Sequence, residues 1–163
     1  CGSTREVSLP KRILVATDFS TRSEKELLRA RLIAARTGAA VTLAHIVDDD
    51  QPERLRAPAI VHSGALLREI AVSFAENGIR AEPFVETGEA AQSILSAADE
   101  AGADLIIVGP HRDRVLGTFS GRTVERVVRS CRRPLLIAAM PPLAPYRRAL
   151  LALDFDEAST AAA

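Results

Sequence analysis

Short apolar runs alternate along the chain with longer segments whose apolar residues recur at helical spacing. Ile13 to Ala16 is one such run, ending at Asp18-Phe19-Ser20. The spacing then predicts a helix from about Ser23 to Thr37, with Leu27, Leu28, Ala30, Leu32, Ile33 and Ala34 on its apolar side and Gly38 ending it. Val41 to Val47 forms a second strand. The polar, proline-punctuated segment 48–58 predicts a loop. A helix over 59–77 follows, carrying Leu66, Leu67, Ile70, Ala71 and Phe74 and stopped by Gly78. Residues 80–85 make a weaker third strand, and a helix opens at Thr87-Gly88 and runs to Ala101-Gly102. The stretch 104–109 is a continuous β-rich run, the pattern of a strand covered on both faces. A loop separates it from a helix over 121–130, and 134–140 is a fifth strand.

Strands alternating with helices predict an α/β fold, a five-stranded parallel sheet with helices on both faces. Such sheets take ligands beyond the C-terminal ends of their strands, where the strand order reverses. Those ends carry Asp18, His45 to Asp48, Thr87-Gly88 and Gly109-Pro110-His111. The pattern places a site and does not name its ligand.

Composition narrows the field. The chain has 163 residues, with 21 basic and 21 acidic side chains, so it carries no net charge and fits one domain. Neutrality removes the global attraction for nucleic acid or anionic lipid. No apolar run approaches the ~20 residues that cross a bilayer. Cys1 and Cys131 have neither pairing nor metal-ligand spacing, and a reducing cytoplasm is expected. The opening Cys1-Gly-Ser lacks a Met and a signal segment, so a trimmed start is expected rather than a lipid anchor.

After Pro141-Pro142-Leu-Ala-Pro145, a stiff linker by composition, residues 147–159 match residues 11–23 at 6 of 13 positions, including Asp18 against Asp154 and Phe19 against Phe155. The expected organisation is an extension over 1–9, a domain over 10–140, a linker over 141–146, and at 147–163 the start of a second copy.

The opening strand to Asp18-Phe-Ser, the strand end Leu-Ala-His45-Ile-Val-Asp48, and the stretch from Asp104-Leu-Ile-Ile-Val-Gly109-Pro-His-Arg112 through Gly121 to Pro134-Leu-Leu-Ile together resemble the universal stress protein family. The resemblance implies a Rossmann-like, adenine-nucleotide alpha hydrolase-like fold. It also implies an adenine nucleotide, ATP or AMP, with or without Mg. In the nucleotide-binding branch a Gly-x2-Gly-x9-Gly-Ser/Thr pattern cradles phosphates, because glycines let the backbone approach and a helix N-terminus favours anions. Carried onto this chain, the roles fall on Ala16, Asp18, Ile46, Val108, Gly109, His111, Arg112, Gly121, Arg122 and Thr123. The family further implies a homodimer, or pairing with a second repeat, through Leu135–Ala139.

The phosphate pattern is kept only in part. Arg112 replaces the second glycine, and Arg122 stands at the Ser/Thr position with Thr123 one place later. A Cβ at 112 obstructs any conformation that only glycine adopts, yet arginine is a good phosphate fork. Residues 110–134 hold seven arginines against Asp113 and Glu125, so Arg122 and Arg126 offer an anion positive charge whatever the loop geometry.

Other features have plainer explanations. Asp18 is also placed to cap the turn after its strand. His45 fits a local hydrogen bond and His62 a helix surface, while His111 has the best claim among the histidines through its place in the loop. Asp48-Asp49-Asp50 lacks the spacing of a calcium loop. Arg126, Arg129, Arg132 and Arg133 have no interleaved aromatics and read as a solvated helix face, not a nucleic-acid stripe. The glycine fingerprints of dinucleotide-binding and P-loop folds are missing, as is a nucleophile elbow. Two function classes stand: a nucleotide-binding regulatory module of the stress response, and a protein-interaction module without nucleotide. No catalytic constellation marks an enzyme, and the resemblance implies that any ATP hydrolysis would be slow.

Overall fold

The computed structural model describes residues 9–20, 24–110, 121–142, 144–146, 148 and 150, with Gly121 and Arg122 described in backbone only. His111, Arg112 and nearly all of the repeat at 147–163 lie outside the described residues.

The elements in chain order are β1 (Arg12–Ala16), α1 (Glu24–Thr37), β2 (Ala40–Val47), α2 (Glu53–Ala75), β3 (Ala81–Thr87), α3 (Ala90–Glu100), β4 (Leu105–Val108), α4 (Gly121–Ser130) and β5 (Leu135–Ile137). The strands form one sheet in the order β3-β2-β1-β4-β5. Every pairing is parallel, with Ala16 opposite Ala44 and Val15 opposite Ile107. The chain builds outward from β1 through β2 to β3, then returns to the other side of β1 to lay down β4 and β5. Order therefore reverses between β1 and β4.

The continuous apolar runs are explained by burial on both faces. Leu14, Ala16, Ala44, Ile46, Ile106 and Val108 meet Ala90, Ala91, Ile94, Ala97 and Ala98 of α3 and Val127 of α4. The alternate residues Ile13, Val15, Val41, Leu43 and Ile107 meet Ala30 and Ala34 of α1 and Leu67 and Phe74 of α2. The alanines on α1 and α3 let those helices lie close to the sheet. Gly38 and Gly78, at φ 73° and 72°, end α1 and α2 in the left-handed conformation that glycine reaches without a Cβ clash.

Three expectations are corrected. The loop predicted over 48–58 is half helix: α2 starts at Glu53 and takes in Pro58. Its first turn is held by Leu55 N–H and Arg56 N–H, which both donate to the Pro52 carbonyl at 2.8 and 3.1 Å. Pro58 leaves one ladder bond unmade on an exposed turn, while Ser63, Leu67 and Phe74 anchor the rest of the helix. On α1 the buried stripe is Glu26, Arg29, Ala30 and Ala34, and Leu28 is exposed. The fifth strand is shorter than expected: Ala138 N–H still reaches Val108 O at 2.8 Å, and the Ala139 N–H then turns back to Ile137 O at 3.0 Å.

Beyond β5 the chain lies along α1. Lys25 Nζ donates to Ala139 O at 3.2 Å and Arg29 Nη1 to Ala144 O at 3.2 Å. The Arg29 guanidinium sits 3.8 Å above the Tyr146 ring, a cation–π contact that holds the linker against the domain.

Candidate functional site

The C-terminal end of β1 is held by a closely connected set of bonds. Thr17 N–H extends the ladder by donating to Ala44 O at 2.9 Å. The Thr17 hydroxyl then accepts from Phe19 N–H at 3.1 Å, and Asp18 Oδ1 from Ser20 N–H at 2.9 Å. These two side-chain turns bend the chain away from the sheet. Phe19 takes φ 58°, an uncommon conformation for a bulky side chain. Its ring packs on His45 with centroids 4.3 Å apart. His45 Nδ1 lies 2.8 Å from Thr17 O, and because a carbonyl only accepts, that nitrogen carries the proton. Burial pulls the His45 pKa below its usual 6.5, against the opposing effects of the Thr17 bond and the Asp18 charge. The neutral ring thus pins the turn that presents Asp18.

Across the reversal point stands the end of β4. Its Gly109 faces a group that the sequence reading did not single out, the carboxyl of Glu26. A Cβ on Gly109 would fall 2.6 Å from Glu26 Oε1 and 2.8 Å from Oε2. Glu26 is only 4% exposed, and its Oε2 has no hydrogen-bond partner among the described residues. Burial first, and then the nearby Asp18 charge, push this carboxyl up to about 7, with its own backbone N–H and Lys25 acting the other way. A signal for Glu26 was present in the sequence: it lies four residues before Ala30 and eight before Ala34, on the stripe that faces the sheet.

The remaining predicted residues fall as follows. Ala16, Ile46 and Val108 reach the strand ends, but their side chains are buried against α3, so what they offer a ligand is backbone. Gly121 and Arg122 form the first turn of α4. That helix connects the end of β4 to the start of β5, so its N-terminus lies at the ligand end of the sheet. Thr123 is buried one residue further on. Arg126 pairs with Glu89 at 3.1 Å, and Glu89 also caps α3 by accepting from Ala91 and Gln92 N–H at 3.2 and 3.0 Å. Gly88, at φ 150°, lets the chain turn from β3 into that cap; a Cβ there would lie 2.7 Å from Ser93 Oγ.

Elsewhere, the carboxylates of Asp48, Asp49 and Asp50 lie within 4.8 Å of one another at the end of β2, on a largely exposed turn where Asp48 Oδ1 accepts from Asp50 N–H at 3.0 Å. Arg133 pairs with Asp99 at 2.5 Å and donates to Ala103 O, at the opposite end of the sheet. A cavity of about 290 Å³ lies there too, lined by Leu95, Asp99, Ile106 and Ser130 to Arg133. Among the described residues no helix is long and apolar enough to cross a membrane.

A parallel sheet with this strand order is a doubly wound α/β fold, a class that takes ligands at the point where the order reverses. Residues 10–139 match the Universal stress protein family, and the chain belongs to that family. A universal stress protein family structure from Burkholderia pseudomallei is 25% identical with a TM-score of 0.66, covering 83% of this chain and 98% of that one. A universal stress protein in complex with cAMP is 26% identical, with a TM-score of 0.63 and coverage of 80% and 97%. The universal stress protein of Archaeoglobus fulgidus in complex with dAMP, at 21% identity, TM-score 0.64 and coverage of 80% and 99%, shares the fold. No curated protein sequence gives a significant match.

Proposed function

We propose that this chain is a universal-stress-type regulatory protein that binds an adenine nucleotide, ATP or AMP, in the crevice between β1 and β4, and acts in the stress response of a bacterial cytoplasm. One observation carries the reading: Asp18 and Gly109, two positions of the family's nucleotide pattern, close adjacent strands at the reversal point. The 26%-identical relative in complex with cAMP supports the ligand class. Gly121 and Arg122 in the first turn of α4 supply backbone N–H groups and positive charge for phosphates. Mg accompanies a triphosphate and is not needed by a monophosphate. Among the described residues no pair of groups is arranged for acid–base or nucleophilic chemistry, and in this reading the protein senses nucleotide, with any hydrolysis slow.

The test is chromatography of small molecules released on denaturing the purified protein, followed by calorimetric titration with ATP·Mg and AMP. Bound adenine nucleotide, weakened about tenfold or more by Asp18→Ala, is the expected result. A blank in both assays overturns the reading.

That blank would favour the second reading, an interaction module. Its supporting observation is β5, which among the described residues is an edge strand paired with β4 alone and exposes Ile137 and, beyond it, Met140. Pairing of Leu135–Ala139 with a second copy, or with a second repeat beginning at 147, would cover it. Light scattering that gives twice the chain mass supports a homodimer.

A further inference from the structure

The neighbourhood of Gly109 contains a group the nucleotide pattern does not call for. Glu26 is 4% exposed, and both of its oxygens lie over the glycine that opens the phosphate segment. One oxygen has no partner among the described residues. A buried carboxylate without a partner is unstable, so the group either holds a proton or draws in a donor. Among the described residues the charged groups facing it are few. The β1 end contributes Asp18, which adds negative charge, and α1 contributes Lys25, whose ammonium is bonded to Ala139 O at 3.2 Å. Arg29, one turn along α1, is directed away to Ala144 O and the Tyr146 ring. The end of β4 and residues 138–139 after β5 contribute no charge among the described residues. Among the described residues around Gly109, an approaching anion therefore meets the Glu26 carboxyl, a group able to be neutral.

We propose that Glu26 is a proton-controlled determinant of ligand charge at this site. As a neutral acid it tolerates an anion beside Gly109 and offers its O–H as a donor; as a carboxylate it repels one. The proposal rests on the nucleotide reading and adds to it a dependence on pH and on phosphate charge. Bringing an anion close favours the protonated form further, so binding above neutrality takes up a proton from solvent and weakens as pH rises. The site then favours singly charged cyclic or diester phosphates over triphosphates, most strongly in alkaline solution.

The probe is cAMP, because its phosphodiester keeps one charge from pH 6 to pH 8, whereas the terminal phosphates of AMP and ATP titrate in that range. Calorimetry on the whole chain is run at both pH values for the wild type, Glu26→Gln and Glu26→Ala, with circular dichroism confirming that each is folded. The expected result is a wild-type Kd that rises about fivefold to tenfold from pH 6 to pH 8, set against a flat, tight Kd in both variants. Titrations in buffers of different ionisation enthalpy should show proton uptake near pH 7.5 in the wild type and none in Glu26→Gln. His45 titrates below its usual 6.5 and is common to all three proteins, so it cannot produce a difference between them. Equal pH slopes in the wild type and Glu26→Gln, or a flat wild-type profile, overturn this proposal and leave the nucleotide reading standing. No binding of cAMP, AMP or ATP by any form overturns both.

Discussion

Gly109 is required to be small by something inside the protein as well as by anything outside it. Its missing Cβ leaves room for the Glu26 carboxyl, which would lie 2.6 Å from that atom. Gly109→Ala therefore displaces a buried side chain, and a loss of about 1–3 kcal/mol is expected in urea denaturation. The double variant Gly109→Ala/Glu26→Ala should recover most of that loss, because the clashing partner is gone. If the glycine also serves phosphate approach, the double variant regains stability while nucleotide affinity stays low. Both roles give the same letter in the sequence; only the position of Glu26 in space separates them. Phe19 carries a similar lesson. Nothing in Asp18-Phe19-Ser20 announces a left-handed phenylalanine, which is held there by the Thr17 and Asp18 turns and by the His45 ring.

At the scale of elements, apolar periodicity located every strand and helix of the described chain, and it erred where a local rule met a tertiary context. Prolines at 52 and 58 read as loop punctuation, yet Pro52 precedes the first turn of α2 and Pro58 sits within the helix on an exposed turn. The buried residues of the later turns hold the helix together despite the missing bond. Pro58→Ala restores an N–H for the Arg54 carbonyl and disturbs no buried contact. We expect it to stabilise the protein by about 1–2 kcal/mol in urea denaturation, the helical gain being partly offset by a freer unfolded chain. On α1, hydrophobicity placed Leu28 on the apolar side with Ala30 and Ala34; the sheet buries the two alanines, Leu27 and Ile33 pack beside them, and Leu28 is left exposed.

For the whole molecule, stability should depend on pH through two buried groups of opposite sign. The folded Glu26 carboxyl titrates at about 7 against an ordinary 4.5, so the folded state keeps a proton that the unfolded chain has already released. Its contribution is fully present below pH 4.5 and is lost as pH rises to about 7, a change on the order of 3 kcal/mol. His45 works the other way: its contribution is present above 6.5 and is lost as pH falls through its lowered folded value. Glu26→Gln isolates the first effect. It should match the wild type near pH 4.5 and exceed it at pH 8 by up to about 3 kcal/mol in urea denaturation. An unchanged gap between the two pH values would refute the assignment.

The sequence by itself determined the α/β class, the parallel sheet and the position of Asp18 and Gly109 just beyond the C-terminal ends of two of its strands. It could do so because period and punctuation are local properties, written within a few residues of one another. The strand order, the reversal between β1 and β4, the placing of Glu26 over Gly109 and the docking of the linker on Arg29 were decided only in three dimensions. Residues 26 and 109 are far apart in the chain, and residues 29 and 146 further still. What couples them is the packing of α1 against the sheet, together with the cost of leaving a buried charge or a large side chain without its neighbours.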